Sequence, residues 1–331
     1  MSDHKNNHEP EENNKELDFV TGPSFQKVIK KAKWKQTIKF FAIGSLSTII
    51  VLYALFCGGQ YLLQKRLVDD DKRLFSQING ANAYMDSGRY VYGFLNLSVV
   101  EHITVKKTIG EREIVWNKKE VEIPFIGRKN VIDNESFTES IGFSERFNRQ
   151  VHYNSFTGER EVDFYYPQLE YEYLPNELEI ATQSEDSILA EVALSFDKPY
   201  TLKEVQNLMG SENINWVWVK TTTKDELDDI KSDSFLKIMD GPSADGFQVR
   251  GDDLNQAAEM FLRNIKQLSK EGKYQSTAQE MANEINPKAF PKIDDLRISG
   301  VIVSGTPKEL ERFQDLEIIR ASTIGATIDL Y

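Results

Sequence analysis

The longest apolar stretch in the chain runs from Phe40 to Leu63 (FFAIGSLSTIIVLYALFCGGQYLL) and holds no charged residue, histidine or proline. As a helix it extends roughly 36 Å, against about 30 Å for the hydrocarbon core of a bilayer. The pattern predicts one transmembrane helix over 40–63, long enough to cross with some tilt. Upstream, Phe25, Val28, Ile29 and Ala32 fall at i, i+3, i+4 and i+7, so they share one helical face while lysines take most of the rest. Thr21-Gly22-Pro23 supplies a start, with proline at the first helical position. This predicts an amphipathic basic helix over 21–39 that runs into the span. Residues 1–20 are polar, acidic and Asn-rich, a composition that reads as disordered.

Beyond the span the period changes. Asp69–Met85 reads as a stalk helix with a break at Gly80. From Gly88, segments rich in Val, Ile, Tyr and Trp predict strands: Tyr90–Val100, His102–Ile109, Glu113–Trp116 and Glu120–Phe125, with turns at Gly110-Glu111 and Asn117-Lys118. Residues 64–187 therefore read as a stalk and a β-rich domain. The aromatic strip at 164–175 (FYYPQLEYEYLP) suits strands packed between sheets; its other reading is an aromatic binding surface.

In 188–331 one sequence of events occurs twice. ILAEVALSF (188–196) is a strand, Thr201 with Glu204 forms a capping box, TLKEVQNLM is a helix, and INWVWVKTTT (214–223) is a strand. Near the end, LRISGVIVSG (296–305) is a strand, Thr306-Pro307 opens the helix ELERFQDL, and EIIRAST (317–323) is a strand. Between the two units lie FQVRG (247–251), a long helix from Asp252 to about Lys270 and a second at Thr277–Ile285. Two β-α-β units side by side predict a ferredoxin-like split βαβ domain with a helical insertion. The expected fold class is α+β. Tyr200, Trp216 and Trp218 are expected in the core between sheet and helices, the other reading being a ligand surface.

Charge orients this plan. No acidic residue lies between Phe19 and Val68, and lysines 27, 30, 31, 33, 35 and 39 crowd the N-terminal flank, whereas Lys65 and Arg66 are followed by Asp69, Asp70 and Asp71. The positive-inside rule puts the N-terminus in the cytoplasm and residues 64–331 outside. Of a total net charge of −12, residues 1–39 carry +2 and residues 64–331 carry −14. Such an acidic outer part has no electrostatic reason to bind nucleic acid. Cys57 is the one cysteine, so the outer part has no disulfide framework. The apolar run is too long for a secretory signal and no small-x-small cleavage site follows it. Phe56, directly before Cys57, stands where a lipobox wants a small residue.

Little in the chain points to catalysis. His102 and His152 have no metal-ligand spacing, and there is no P-loop, G-x-G-x-x-G, G-x-S-x-G or S-x-x-K. Carboxylates are plentiful, but none stands paired in an apolar setting of the kind that raises the pKa of a catalytic acid. The expectation is a protein that is not an enzyme and needs no metal or other cofactor.

Three segments together carry a family resemblance. FQKVIKKAKWKQTIKFF, running into the span, resembles the N-terminal region of the Firmicute sigma-factor-regulator family, and AEVALSFDKPYTLKEVQNLMGSENINWVWV (190–219) with SGTPKELERFQDLEIIRASTIGAT (304–327) resembles its C-terminal domain. The resemblance implies a membrane-bound anti-sigma factor. Its cytoplasmic segment would hold an extracytoplasmic-function sigma factor away from core RNA polymerase, and its outer domain would perceive envelope stress, alone or through a small membrane co-regulator. Phe25, Val28, Ile29 and Ala32 are the expected sigma-factor contacts, a choice that rests on periodicity. The H-x-x-x-C-x-x-C zinc motif of many anti-sigma factors is absent, so binding would use a short segment that folds on contact, with tethering raising its local concentration. Gly44, Ser45, Ser47 and Gly58-Gly59 are small enough for a second helix to pack against the span.

Two other readings stay open. In one, the basic helix lies on anionic lipid and only anchors the chain, which is then a surface structural or binding module with no sigma partner. In the other, the outer part is an enzyme whose activity rests on a small set of polar residues. A charge placed at Val28 or Ile29 separates the anti-sigma reading from the surface-module reading.

Overall fold

The computed structural model describes residues 23–68, 72–94, 97–134, 140–144, 149–232, 237–251 and 253–330. The disordered tail expected over 1–20 lies outside these residues. The chain divides at Gly58/Gly59 into two units.

The first unit is helical. Helix α1 runs from Pro23 to Val68 without interruption, and every described side chain from Phe25 to Cys57 is exposed. Proline stands at its first position, where the missing N–H costs no hydrogen bond, and no further proline follows within the helix. It is long and apolar enough to cross a membrane.

The second unit begins with the end of α1 and the short α2 (Lys72–Phe75). A four-stranded antiparallel meander follows, β1 (Ala83–Tyr92), β2 (Ser98–Ile109), β3 (Arg112–Pro124) and β4 (Asn130–Asn134), paired in that order. Gly110 turns the β2–β3 hairpin at φ 59°, a left-handed backbone that glycine adopts freely. Strands β5 (Ser140–Ser144) and β6 (Arg149–Tyr153) pair with each other.

The remainder centres on a five-stranded antiparallel sheet. Along the chain come β7 (Asp163–Tyr165), α3 (Leu178–Thr182), β8 (Ile188–Tyr200), α4 (Leu202–Met209), β9 (Ile214–Val219), α5 (Lys224–Ser232), β10 (Ile238–Asp240) and β11 (Gly246–Gln248). Then follow α6 (Leu254–Leu268), α7 (Gln275–Ile285), β12 (Ile298–Gly305), α8 (Pro307–Leu310) and β13 (Ile319–Asp329). The sheet order is β11-β9-β12-β8-β13. The units β8-α4-β9 and β12-α8-β13 are thus interleaved, each pair of strands held apart by one strand of the other. Thr201 and Thr306 cap α4 and α8, each accepting from the backbone of a glutamate three residues on whose carboxylate bonds back.

Alternation decides what covers each face of this sheet. On β8, Ala190, Val192, Leu194 and Phe196 join Val217, Val219, Val301 and Val303 in a core capped by Leu202, Val205 and Met209 of α4, Phe261 and Ile265 of α6, and Leu310 and Phe313. The other face, with Ala193, Trp216, Trp218 and Ile302, is covered by Val162, Phe164, Tyr166 and Leu169. Phe164 stacks on Trp218 at 4.9 Å between ring centroids and Tyr166 meets the same indole edge-on at 5.5 Å. The aromatic strip thus packs a core here. Trp216 and Trp218 are buried as expected, but away from the helices that were expected to cover them; Tyr200 does lie in the helix-side core.

Four local expectations change. The strand expected over Tyr90–Val100 is divided between β1, which ends at Tyr92, and β2, which begins at Ser98 and runs unbroken to Ile109. Among the described residues of the stalk helix expected over 69–85, Lys72–Phe75 alone is helical, and β1 begins at Ala83. Between them the backbone bonds to the C-terminal part: Gly80 N–H donates to Ala244 O and Ala81 N–H to Gly241 O, while Gly80 and Asn82 adopt positive φ. Long-range pairing overrides local helical propensity there. Asn117-Lys118 is no turn, since β3 passes straight through it, paired to β2. The strand expected at 317–323 starts at Ile319 and extends to Asp329 along β8.

Candidate functional site

The expected partner-binding stripe sits in the first turns of α1. Phe25, Val28 and Ile29 are 44%, 64% and 37% exposed, and Ala32 is exposed beside them. Their spacing brings them onto one face, and nothing in the described residues covers it. The lysines around them give the helix a basic rim.

At its C-terminal end α1 is covered. Gly59 and Leu63 are buried one turn apart, and Leu63 packs with Val99, Ile103, Val121 and Ile123 on one face of the meander. Leu67 and Phe125 extend this contact. The Arg66 guanidinium donates to the Pro124 carbonyl and, at 2.9 Å, to that of Gly127. Helix and sheet are therefore fixed together by an apolar knob and a charged fork.

The opposite end of the meander is fixed by buried charge. Lys107 on β2 is 1% exposed. Its ammonium lies 3.1 Å from Glu191 Oε2 on β8, 3.8 Å from Glu161 Oε2 and 4.0 Å from the centre of the Trp116 ring. Glu191, fully buried, also accepts from Asn82 Nδ2 at 2.8 Å and from the Ala326 N–H at 3.3 Å. A Cβ on Gly325 would lie 2.4 Å from Glu191 Oε2, so glycine is what leaves room for the carboxylate. Asn154 donates to Glu161, and Gln248 to Asn82. Around this cluster, Ile109 and Trp116 pack with Leu189 and Ala326, and the Gly110 N–H donates to Ser304 Oγ. Charges removed from water cost several kcal/mol each unless geometry and hydrogen bonds repay it, and here each carboxylate has a cation and an amide donor.

The neighbouring Lys106 points to the surface between Asp86 (2.8 Å) and Glu113 (3.1 Å). Its hydrogen bond to Asp86, then that to Glu113, hold its pKa above the usual lysine range. Glu113 also accepts from Tyr84 and then Lys106, which lowers its own. A second ion pair joins half-buried Arg160 to buried Glu177 at 2.8 Å, and Glu177 Oε2 also accepts from the Ile324 N–H of β13. Burial pushes Tyr166 up to about 12, as expected of a phenol inside an aromatic core.

A cleft of about 230 Å³ opens between α6, β11 and the start of β1, lined among others by Gln77, Tyr84, Gln248, Arg250, Met260 and Asn264. Arg250 lies 4.6 Å from the Tyr84 ring centre. Among the described residues no group of three or more His, Cys, Asp or Glu is placed to hold a metal ion. The geometry fits mechanical coupling: one sheet, clamped at both ends, joins the end of α1 to the C-terminal sheet. Sequence reasoning missed Lys107 and Glu191, which are 84 residues apart and carry no motif.

Residues 181–326, less than half of the chain, match the family described as sigma factor regulator C-terminal. The match runs from α3 to β13. It takes in Glu191 and Ala326 and leaves α1 and Lys107 outside. It supports a regulator of sigma factors, whose partner is a sigma factor. No curated protein and no solved structure matches the chain.

Proposed function

We propose that the chain is a single-pass membrane anti-sigma factor of the Firmicute type, holding an extracytoplasmic-function sigma factor through Phe25, Val28, Ile29 and Ala32. The observation that carries this reading is one chain combining a match to the sigma factor regulator C-terminal family with a long apolar helix whose basic first turns present an uncovered apolar stripe. In this reading the N-terminus is cytoplasmic, α1 crosses the membrane of a Gram-positive cell, and residues 64–331 face outward. The outer part perceives envelope stress without catalysis or a cofactor, alone or with a small membrane co-regulator packed on Gly44, Ser45 and Ser47. Its C-terminal domain is a ferredoxin-like split βαβ fold, as the interleaved strand order supports. The clamped meander is the route by which a change in that domain reaches the end of α1.

The test is co-purification of a sigma factor with the full-length chain from detergent-solubilised host membranes. The unaltered chain is expected to retain one, and Val28→Asp/Ile29→Asp to lose it by on the order of tenfold or more while remaining in the membrane fraction, since a charge buried in an apolar groove lacks a partner. Equal recovery by both chains removes these residues from the interface. No sigma factor with either chain returns the protein to the surface-module reading.

A further inference from the structure

The cleft beside β11 holds polar groups that the fold orients and leaves unused. All of its lining residues belong to the second unit. Asn264 on α6 is 7% exposed, and its Nδ2 donates to Gln77 Oε1 at 3.0 Å. Gln248 Nε2 donates to Asn82 Oδ1 at 3.2 Å. One bond inside the protein thus fixes each of these three lining amides. The opposite atoms, Asn264 Oδ1, Gln77 Nε2 and Gln248 Oε1, have no hydrogen-bond partner among the described residues. An amide oxygen drawn out of water without a donor costs free energy, so a ligand that supplies the donor gains by it.

The edge of β11 adds a peptide group of the same kind. The Val219 N–H bonds to Asp245 O and the Val249 N–H to Asn215 O, so the backbone groups of odd-numbered residues here turn to β9. Gly246 turns the other way and donates to Ile78 O. By the same alternation Gln248 presents its N–H and C=O at the outer edge, where among the described residues they bond to nothing. Residues 78–80 thus cover the edge as far as Gly246, and the cleft begins where they stop.

Charge and shape narrow the ligand. The Arg250 guanidinium faces the Tyr84 ring and has no carboxylate partner among the described residues. Phe247, Phe261 and the half-exposed Met260 supply an apolar wall. Amide donors and acceptors beside an open strand edge are the pattern that a peptide group completes. An unpaired guanidinium matches a planar carboxylate. At about 230 Å³ the space is smaller than the roughly 300–1,000 Å³ of drug-sized ligand sites, so it suits the end of a chain.

We propose that the cleft binds the C-terminal end of a peptide, with its carboxylate on Arg250, its last peptide group on Asn264, Gln77 and the Gln248 edge, and an apolar side chain against Met260. None of these residues belongs to α1, so the site does not depend on a sigma factor being held there.

The test titrates the full-length chain in detergent micelles with N-acetylated dipeptides built from alanine, leucine and phenylalanine, each as the free acid and as the C-terminal amide, and follows binding by ligand-observed NMR. Glucuronate serves as a carboxylate that is not a peptide. At least one acid is expected to bind about tenfold or more tightly than its amide. Arg250→Gln should bring that acid and its amide to the same weak affinity, and Met260→Ser should weaken both. Arg263→Gln, on an exposed part of α6 outside the cleft, should change neither. Arg250 is exposed, so its variant is expected to keep the unfolding midpoint of the unaltered chain. The proposal falls if no acid binds, if acids and amides bind alike, if Arg250→Gln leaves the preference in place, or if glucuronate binds as tightly as the best dipeptide.

Discussion

The two ends of the four-stranded meander hold their neighbours by opposite means. At the α1 end the contact is a buried leucine in an aliphatic socket, with one arginine on two carbonyls. At the distal end it is a lysine, two glutamates and an asparagine, all buried. An apolar contact is tolerant of small shifts, because burial scales with area and has no direction. A buried ion cluster is satisfied in one arrangement and costly in others. The distal end thus fixes the register between meander and C-terminal sheet, while the α1 end tolerates small shifts.

The largest effect is expected from removing the cation at the distal end. Lys107→Met keeps the length of the side chain and leaves Glu191 and Glu161 buried without it. The expected loss is about 3–5 kcal/mol of unfolding free energy, the usual result of removing one partner of a buried pair. Denaturation of the full-length protein followed by tryptophan fluorescence reads it, since Trp116, Trp216 and Trp218 are all buried. Adding Glu191→Gln keeps an acceptor for Asn82 and Ala326 and should recover part of the loss. A Lys107→Met loss below about 1 kcal/mol would mean that the cluster does not hold the register.

How much of this was legible in the sequence follows from the range of the interactions. The capping boxes at Thr201/Glu204 and Thr306/Glu309 are local hydrogen bonds, visible as residue types three apart. The apolar helix and the strands with strict alternation are likewise local patterns. Which face of β9 the tryptophans would use was not readable, because both faces of the central sheet are covered and the strand is buried throughout. The stalk misreading has the same origin, as Gly80 and Ala81 take their backbone partners from residues about 160 positions away. Lys107 looks like its neighbour Lys106 in the sequence. Only the fold separates a lysine on the surface from one against Glu191. The stripe at Phe25, Val28, Ile29 and Ala32 was legible because periodicity alone defines it.

At the α1 end a smaller effect is expected. Leu63→Ala removes the knob from a small cluster of five buried aliphatic side chains, whose neighbours can partly close on the cavity. The cost should lie near the low end for buried leucines, about 2 kcal/mol. A loss equal to that of Lys107→Met would erase the difference between the two ends. Hydrogen exchange sharpens the test: Leu63→Ala should speed exchange in β3 near Val121 and Ile123 and leave β8 and β13 unchanged.

The smallest effect concerns a second polar contact at the distal end. Asp245, half-buried before β11, accepts from Thr221 Oγ1 at 2.6 Å and from Asn79 Nδ2 at 3.1 Å. Burial raises its pKa against the lowering effect of those two bonds. An acid whose pKa is higher folded than unfolded binds its proton more tightly in the folded state. Its contribution to stability is therefore greatest below the unfolded pKa and declines as pH rises through the interval up to the folded pKa. Asp245→Asn keeps an acceptor for Asn79 and offers Thr221 a donor, so it should raise stability at neutral pH by less than about 1 kcal/mol and give no gain in acid. Unfolding midpoints at neutral and mildly acidic pH check the sign. A variant less stable than the unaltered chain at neutral pH would mean that the ionised carboxylate is favoured in the fold, and that the distal end gains from charge at Asp245 as it does at Glu191.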